Sequence, residues 1–236
     1  MAGSRRLGPT YSCAPMKIDR AGIPFVAAAV ILSLALAGFR LLVPAAVAML
    51  LAVALSAFFR DPERHPPSGL DLVLSPADGR VMVAGPSTVG AAPAGDWTQV
   101  SVFLSPLDVH VNRVPVTGKV TRVEYRPGRY RAAYRAEATS ENERSEVWID
   151  DGSRTVVCRQ ITGVLVRRVV CRLHPGDEVR AGDRLGVMKF GSRIDLFLPA
   201  GTRLRAKVGD RVRGGETVIA ELPSPATLEG ERASTR

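Results

Sequence analysis

Between Ile23 and Phe59 the chain carries a single charged residue, Arg40. That run limits the fold more than any other feature, because its apolar surface must be taken up by protein or by lipid. Arg40 divides it into Ile23–Phe39 and Leu41–Phe59, each close to the length of helix that crosses a bilayer core. Pro24 and Pro44 stand near the starts of the two runs, where proline does least harm to a helix. A cleaved signal peptide has one such run and a small-residue cleavage site, so two runs in succession predict a helical hairpin instead. Arg5, Arg6, Lys17 and Arg20 precede it, and Arg60 and Arg64 follow it; by the positive-inside rule both flanks are cytoplasmic. The expectation is a membrane hairpin over 23–59 behind a basic tail over 1–22, holding the rest of the chain on the cytoplasmic side of the cell membrane. A buried core hairpin in a soluble domain is the competing reading, and a shallow hairpin in one leaflet fits the same residues as a double span.

The texture changes after Phe59. "FFRDPERHPPSG" ends the second helix and opens a Pro-rich linker over 60–70. From Leu72 onward, short Val- and Ile-rich runs such as "DLVLSPADGRVMVAG", "TQVSVFLSP" and "SEVWIDDGSRTVVCRQITG" alternate with Gly, Pro and Asp turns. The Asp-Gly pairs at 78–79 and 151–152 predict hairpin turns. With no amphipathic helix longer than three turns after the linker, residues 71–223 predict a mainly β domain, an antiparallel barrel or sandwich. Residues 224–236 predict a disordered tail. The formal net charge of +9 is nearly all arginine and suits anionic lipid or an anionic substrate. No aromatic-interleaved basic run and no helix-turn-helix pattern point to nucleic acid. Cys13, Cys158 and Cys171 are odd in number and have no CxxC spacing, which argues against a disulfide framework or a zinc site. Cys158 and Cys171 lie in Val-rich runs and read as small buried hydrophobes in a reducing compartment.

An internal echo narrows the β region. "HPGDEVRAGDRLGVM" (174–188) and "KVGDRVRGGETVIAE" (207–221) share a Gly-Asp-x-Val-x-x-Gly pattern. Two such copies around a central hairpin are the sequence form of a barrel-sandwich hybrid, the fold of biotinyl and lipoyl carriers, so the C-terminal part is expected to be carrier-like. The tip of that hairpin would fall in "VMKFGSRID" (187–195) and would present an exposed or strained group. Lys189 after Met188 is a partial match to a biotin-accepting lysine, which makes a non-catalytic carrier or adaptor behind an anchor one reading. The other is a bond the chain cuts in itself. A Ser192 hydroxyl held against the Gly191 carbonyl can attack it, and glycine leaves room for the attack and tolerates the strained turn. Elimination and hydrolysis then leave a pyruvoyl group, a ketone that condenses with amines and withdraws electrons from the α-carbon.

Six motifs in order decide between them: "FFRDPER", "SPADGRV", "VFLSPLDVHVNRVPVTGKV", "NER", "QITGVLVRRVVC" and "GVMKFGSRIDLFLP". Together, from about Phe58 to about Leu222, they resemble the phosphatidylserine decarboxylases, most closely the short bacterial and archaeal type. The resemblance implies a proenzyme that cleaves itself between Gly191 and Ser192 into chains of residues 1–191 and 192–236. Ser192 would become the covalent pyruvoyl cofactor, with no metal and no pyridoxal phosphate. It also implies conversion of phosphatidylserine in the membrane to phosphatidylethanolamine, by a homo-oligomer expected to be a dimer.

The resemblance carries site residues with it. Self-cleavage in the family is assigned to a Ser-His-Asp arrangement, whose Asp is Asp78 of "SPADG" here; His110 of "DVH" is linked to decarboxylation. The longer enzymes have a second His where this chain has Arg113, and an arginine cannot act as a general base. His110 then takes both roles, or Asp78 or a water serves in cleavage. The turn reads "FGSR" where the longer enzymes have Leu-Gly-Ser-Thr. On chemistry alone His110 reads equally as a proton shuttle or as a merely buried histidine, while His65 in the linker and His174 before a Pro-Gly turn read as structural or surface residues. Arg113, Arg167, Arg168 and Arg193 are candidates for the substrate's phosphate or carboxylate, a solvated strand face being the alternative for each.

Overall fold

The computed structural model describes residues 17–69, 71–87, 92–135, 137–164, 169–188 and 192–223. The apolar run forms helices α1 (Ile23–Gly38) and α2 (Leu42–Phe58), flanked by the two-residue strands β1 (Lys17–Ile18) and β2 (Arg60–Asp61), which pair with each other. Small residues let the helices approach: Ala29, Ser33, Ala45, Ala48 and Ala52 are buried, and Ser33 Oγ donates to the Ala45 carbonyl at 2.8 Å. The larger side chains face outward, among them Ile31, Leu34, Phe39, Leu42, Val43 and Leu50. The charge that interrupts the run marks the turn. Arg40 has φ 60°, and the Leu41 amide donates back to the Leu36 carbonyl, closing α1 as a left-handed cap normally left to glycine. Among the described residues no helix is long and apolar enough to cross a membrane.

The rest is mainly β and antiparallel. It runs through β3 (Leu72–Leu74), β4 (Gly79–Pro86), β5 (Trp97–Leu104), β6 (Val111–Arg113), β7 (Gly118–Arg126), the one-turn α3 (Ala138–Glu141), β8 (Arg144–Asp150) and β9 (Thr155–Ile161). It continues with β10 (Val169–Cys171), β11 (Glu178–Val179), β12 (Arg184–Met188), β13 (Ser192–Pro199), β14 (Arg203–Leu204), β15 (Arg211–Val212) and β16 (Val218–Glu221). An eight-stranded sheet in the order β11-β7-β8-β9-β13-β5-β4-β15 is accompanied by two three-stranded sheets, β10-β12-β6 and β14-β16-β3. The main core lies on one face of the large sheet, where Val100, Val102, Leu104, Ile149, Cys158, Ile194, Leu196 and Leu198 are buried together with Leu185 and Ile219 from the small sheets. Each such aliphatic side chain contributes roughly 1.5–3 kcal/mol by leaving water. Cys158 is one of them, and its burial pushes the thiol pKa up, as suits an inert small hydrophobe.

Three expectations need correction. The Asp151-Gly152 turn does join a hairpin, β8 to β9, but Asp78-Gly79 does not: β3 pairs with β16 and β4 pairs with β5 and β15. The two repeat copies do not pair strand to strand with each other; each pairs with an upstream segment. Copy 174–188 pairs with residues 113–120, and copy 207–221 pairs with residues 74–81, in matching fashion. The Gly176 amide donates to the Val120 carbonyl and Gly209 to Val81, while Gly182 donates to Val114 and Gly215 to Ser75. Finally, β12 and β13 lie in different sheets, so the two strands do not pair as the arms of one hairpin. Lys189, Gly191, Cys13, Arg167, Arg168 and the tail 224–236 fall outside the described residues.

Candidate active site

Ser192 opens β13, the strand held between β9 and β5 in the middle of the large sheet, and sits opposite Leu104. Alternation along the strand turns Ser192 to the core face with Ile194, Leu196 and Leu198, and turns Arg193 and Asp195 to the other face. Ser192 is fully buried, and its Oγ has no hydrogen-bond partner among the described residues. On the other face Arg193 donates from Nε to Asp195 Oδ1 at 2.5 Å and from Nη2 to Ser101 Oγ at 3.1 Å.

The end of β9 beside Ser192 is held by the "NER" segment, for which the sequence alone offers no role. Asn142 Nδ2 donates to the Arg131 and Thr162 carbonyls, both at 2.8 Å, and its Oδ1 accepts from the Arg131 amide. Thr162 directly follows Ile161, the partner of Arg193, so this clamp fixes the chain next to Ser192.

β6 crosses over the core face. Asn112 there accepts a 2.7 Å hydrogen bond from Gln160 Nε2, and Gln160 is the register partner of Ile194, two residues from Ser192. Asn112 and Gln160 are both fully buried. On the opposite side of β6, Val111 joins Val109, Val187, Phe58 and Phe59 in a second apolar cluster at the foot of the hairpin.

His110 stands just before β6, its carbonyl accepting from the Met188 amide at 3.1 Å. The imidazole lies against Phe58 with ring centroids 4.1 Å apart, and Nδ1 is 2.9 Å from the Asp108 carbonyl. A carbonyl can only accept, so Nδ1 carries the proton and Nε2 presents its lone pair. Burial lowers the His110 pKa to about 4; the Asp108 carbonyl and charge oppose that shift, and Arg60 adds to it. The ring is therefore a neutral base at physiological pH.

Asp78 and Arg113 belong to a different group. Asp78 accepts both Nη2 contacts of Arg64, at 2.8 and 2.9 Å, and the Gly214 amide at 2.8 Å. The group that orients His110 is thus a backbone carbonyl and not Asp78. Arg113 donates from Nη2 to Asp61 Oδ1 at 2.5 Å and to the Pro62 carbonyl at 3.0 Å, while Arg184 binds the other Asp61 oxygen. Arg113 and Arg193, expected to face a substrate anion, each have their charge matched by a buried carboxylate.

The His110 imidazole, a neutral base packed against Phe58, suits proton transfer, and the Ser192 hydroxyl, with no partner among the described residues, suits acyl chemistry. A sequence profile described as phosphatidylserine decarboxylase matches residues 51–220. This chain belongs to the phosphatidylserine decarboxylase family. It is 48% identical over 164 residues to a phosphatidylserine decarboxylase proenzyme of Chlorobium chlorochromatii, covering 69% of this chain and 76% of the relative. It is 42% identical over 226 residues to the proenzyme of Mycolicibacterium vanbaalenii, covering 94% of this chain and 96% of the relative. The proenzyme of Anaplasma phagocytophilum is 42% identical over 224 residues, with 94% and 98% covered. The chain is accordingly an enzyme of the decarboxylase class. Within the family's motifs, Asn112 and Gln160 went unremarked because an amide in a strand carries no signal of its own. Phe58 was equally silent, sitting inside a run that reads simply as apolar.

Proposed function

We propose that the chain cuts itself between Gly191 and Ser192 and then decarboxylates phosphatidylserine to phosphatidylethanolamine at the cytoplasmic face of the membrane. The observation that carries this reading is the buried Ser192 hydroxyl, without a partner among the described residues, at the head of a central strand in a chain whose relatives are named proenzymes. In the first step Oγ bonds to the Gly191 carbonyl carbon, the C–N bond breaks, and the hydroxyl proton ends on the Ser192 nitrogen. Loss of the Ser192 α-proton then expels the Gly191 carboxylate and leaves a dehydroalanine. Water adds to its imine tautomer and ammonia leaves, giving a pyruvoyl group and a second chain that starts at 192.

A serine whose Oγ has no partner among the described residues, held by backbone pairing, fits a cofactor made in place, since no separate docking site is required. Once formed, that group supplies an electron sink for the substrate's amine-bearing carbon. The chain's own part is proton handling and exclusion of water. His110 Nε2 takes up a proton and returns it to carbon after carbon dioxide leaves, and Phe58 shields the ring. The outward apolar faces of α1 and α2, and a groove of about 330 Å³ lined by Ile18, Ile23, Val26, Ala27, Val30 and Ile31, support seating of the hairpin in lipid.

Intact mass of the purified chain tests the reading. Two fragments split before Ser192, the smaller lacking a free amine and the pair releasing carbon dioxide from phosphatidylserine vesicles, are expected. One uncut chain bearing a biotin or lipoyl adduct at Lys189 would overturn it.

A further inference from the structure

The amide pair on the core face is costly as it stands. Asn112, Gln160 and Ser192 are each fully buried, and Gln160 Nε2 donates to Asn112 Oδ1 at 2.7 Å. Asn112 Nδ2, Gln160 Oε1 and Ser192 Oγ are left with no partner among the described residues. As placed, the surplus acceptor is Gln160 Oε1; turning both amides over would keep one bond between them and move the surplus acceptor to Asn112. An orphaned buried polar group is destabilising, and a Leu–Met pair of similar size would avoid that cost. Native structures tolerate such groups mainly where they have work to do.

Geometry says what that work is. Gln160 faces Ile194 across the β9–β13 ladder, and Ser192 lies two residues along β13 on the same face. Such diagonal neighbours are about 7–8 Å apart at the backbone, within reach of a glutamine side chain. The surplus acceptor of the pair thus lies on the same face as, and within reach of, a hydroxyl that has no other described acceptor. Arg193 and Asp195 face the opposite side of the sheet, so no charged group of β13 competes there. An amide oxygen is too weak a base to remove the proton, but it can fix the direction of the O–H and so the direction of the attacking lone pair.

We propose that Asn112 and Gln160 are positioning residues for self-cleavage, Gln160 orienting the Ser192 hydroxyl and Asn112 fixing the Gln160 amide by their mutual hydrogen bond. This rests on the self-cleavage reading above. Neither residue takes the proton; both hold the nucleophile in an attacking pose, a role whose loss costs about 100-fold in rate.

The test follows cleavage of freshly translated full-length chain with time, in detergent micelles, for wild type and for Asn112→Leu/Gln160→Met. The double substitution removes both amides together and leaves neither orphaned, so a cooperative melting transition is expected to persist. The expected result is cleavage slowed about 100-fold, with hydroxylamine at neutral pH releasing no fragment because no ester accumulates. The exchanged pair Asn112→Gln/Gln160→Asn, which retains two amides of the same combined length, should recover much of the rate. Wild-type cleavage by the double variant overturns the proposal, and so does a stalled chain that hydroxylamine cuts before Ser192, since the ester then forms without the amides. If the double variant does not melt cooperatively, the exchanged pair decides: a rate as low as Gln160→Met alone, with normal melting, overturns the proposal, and a faster one supports it. Failure of the wild-type chain to cut would instead remove the self-cleavage reading itself.

Discussion

Asn112 and Arg113 are adjacent on β6, yet the buried polar regions they enter are satisfied in opposite ways. Asn112 turns inward to Gln160 and the Ser192 face, where every group is neutral and three polar atoms are unpartnered among the described residues. Arg113 turns to the linker, where Asp61 holds Arg113 and Arg184, and Arg64 holds Asp78 and Glu216. Full charges are kept there because each has an opposite partner at hydrogen-bond distance. The charged region ties the exit of α2 to the body, and its satisfaction marks it as structure. The neutral region keeps polar atoms without partners among the described residues, and the proposed positioning of the Ser192 hydroxyl would give them a role.

The largest expected effect separates these regions most sharply. Ser192→Ala removes one hydroxyl that makes no described hydrogen bond, so melting should hold or rise while cleavage and decarboxylation vanish. Complete processing of that variant, seen as two bands on a denaturing gel, would show that the chemistry starts elsewhere.

His110→Ala comes next, with decarboxylation expected to fall about 10²–10⁴-fold. Its pH behaviour gives a second check. The imidazole has a pKa of about 4 when folded against an ordinary 6.5, so the unfolded chain binds the proton first. Stability from this group is intact above 6.5 and is lost as pH falls from there through about 4, by up to about 3 kcal/mol. Denaturant midpoints that fall equally in wild type and His110→Ala over that window would assign the acid sensitivity to other groups.

Asp61→Ala should act in the reverse sense to Ser192→Ala. It leaves Arg113 buried without its carboxylate, which costs about 3–5 kcal/mol, while the fraction that remains folded should still cut before Ser192. Loss of cleavage with unchanged melting would place the charged region in the chemistry.

How much of this could be read beforehand depended on how local the cause was. The hairpin was legible because apolarity and one charge sufficed: the helices fall within the runs divided by Arg40, and Arg40 is the turn. The β8–β9 turn was legible because its strands are neighbours in sequence and in the sheet. Asp78-Gly79 carries the same dipeptide, but its strands take partners from the second repeat copy, a choice no local signal encodes. Ser192, singled out by motif at a turn expected to present an exposed or strained group, is buried, because β13 pairs with β5 and β9, far away in the chain. The Asn112–Gln160 bond joins two motifs that resemblance placed in order, and only the approach of β6 to β9 in the fold brings them together.

The smallest expected effect concerns Asp78, and the repeat supplies its control. In the copy that pairs with residues 113–120, Thr117 takes the place of Asp78: Thr117 Oγ1 accepts the Ala181 amide at 3.0 Å, as Asp78 Oδ1 accepts that of Gly214 at 2.8 Å. A neutral side chain therefore does the turn-holding part of Asp78's work at the related site. Asp78→Asn keeps an acceptor for Gly214 and loses the ion pair with Arg64, while Thr117→Val loses the acceptor alone. Each should cost about 1 kcal/mol in denaturant unfolding, and both should cut before Ser192 within a few-fold of the wild-type rate. If Asp78→Asn stops cleavage while Thr117→Val does not and both melt alike, the charge on Asp78 acts on the Ser192 step. The Ser-His-Asp assignment implied by family resemblance would then hold through a path longer than a direct contact with His110.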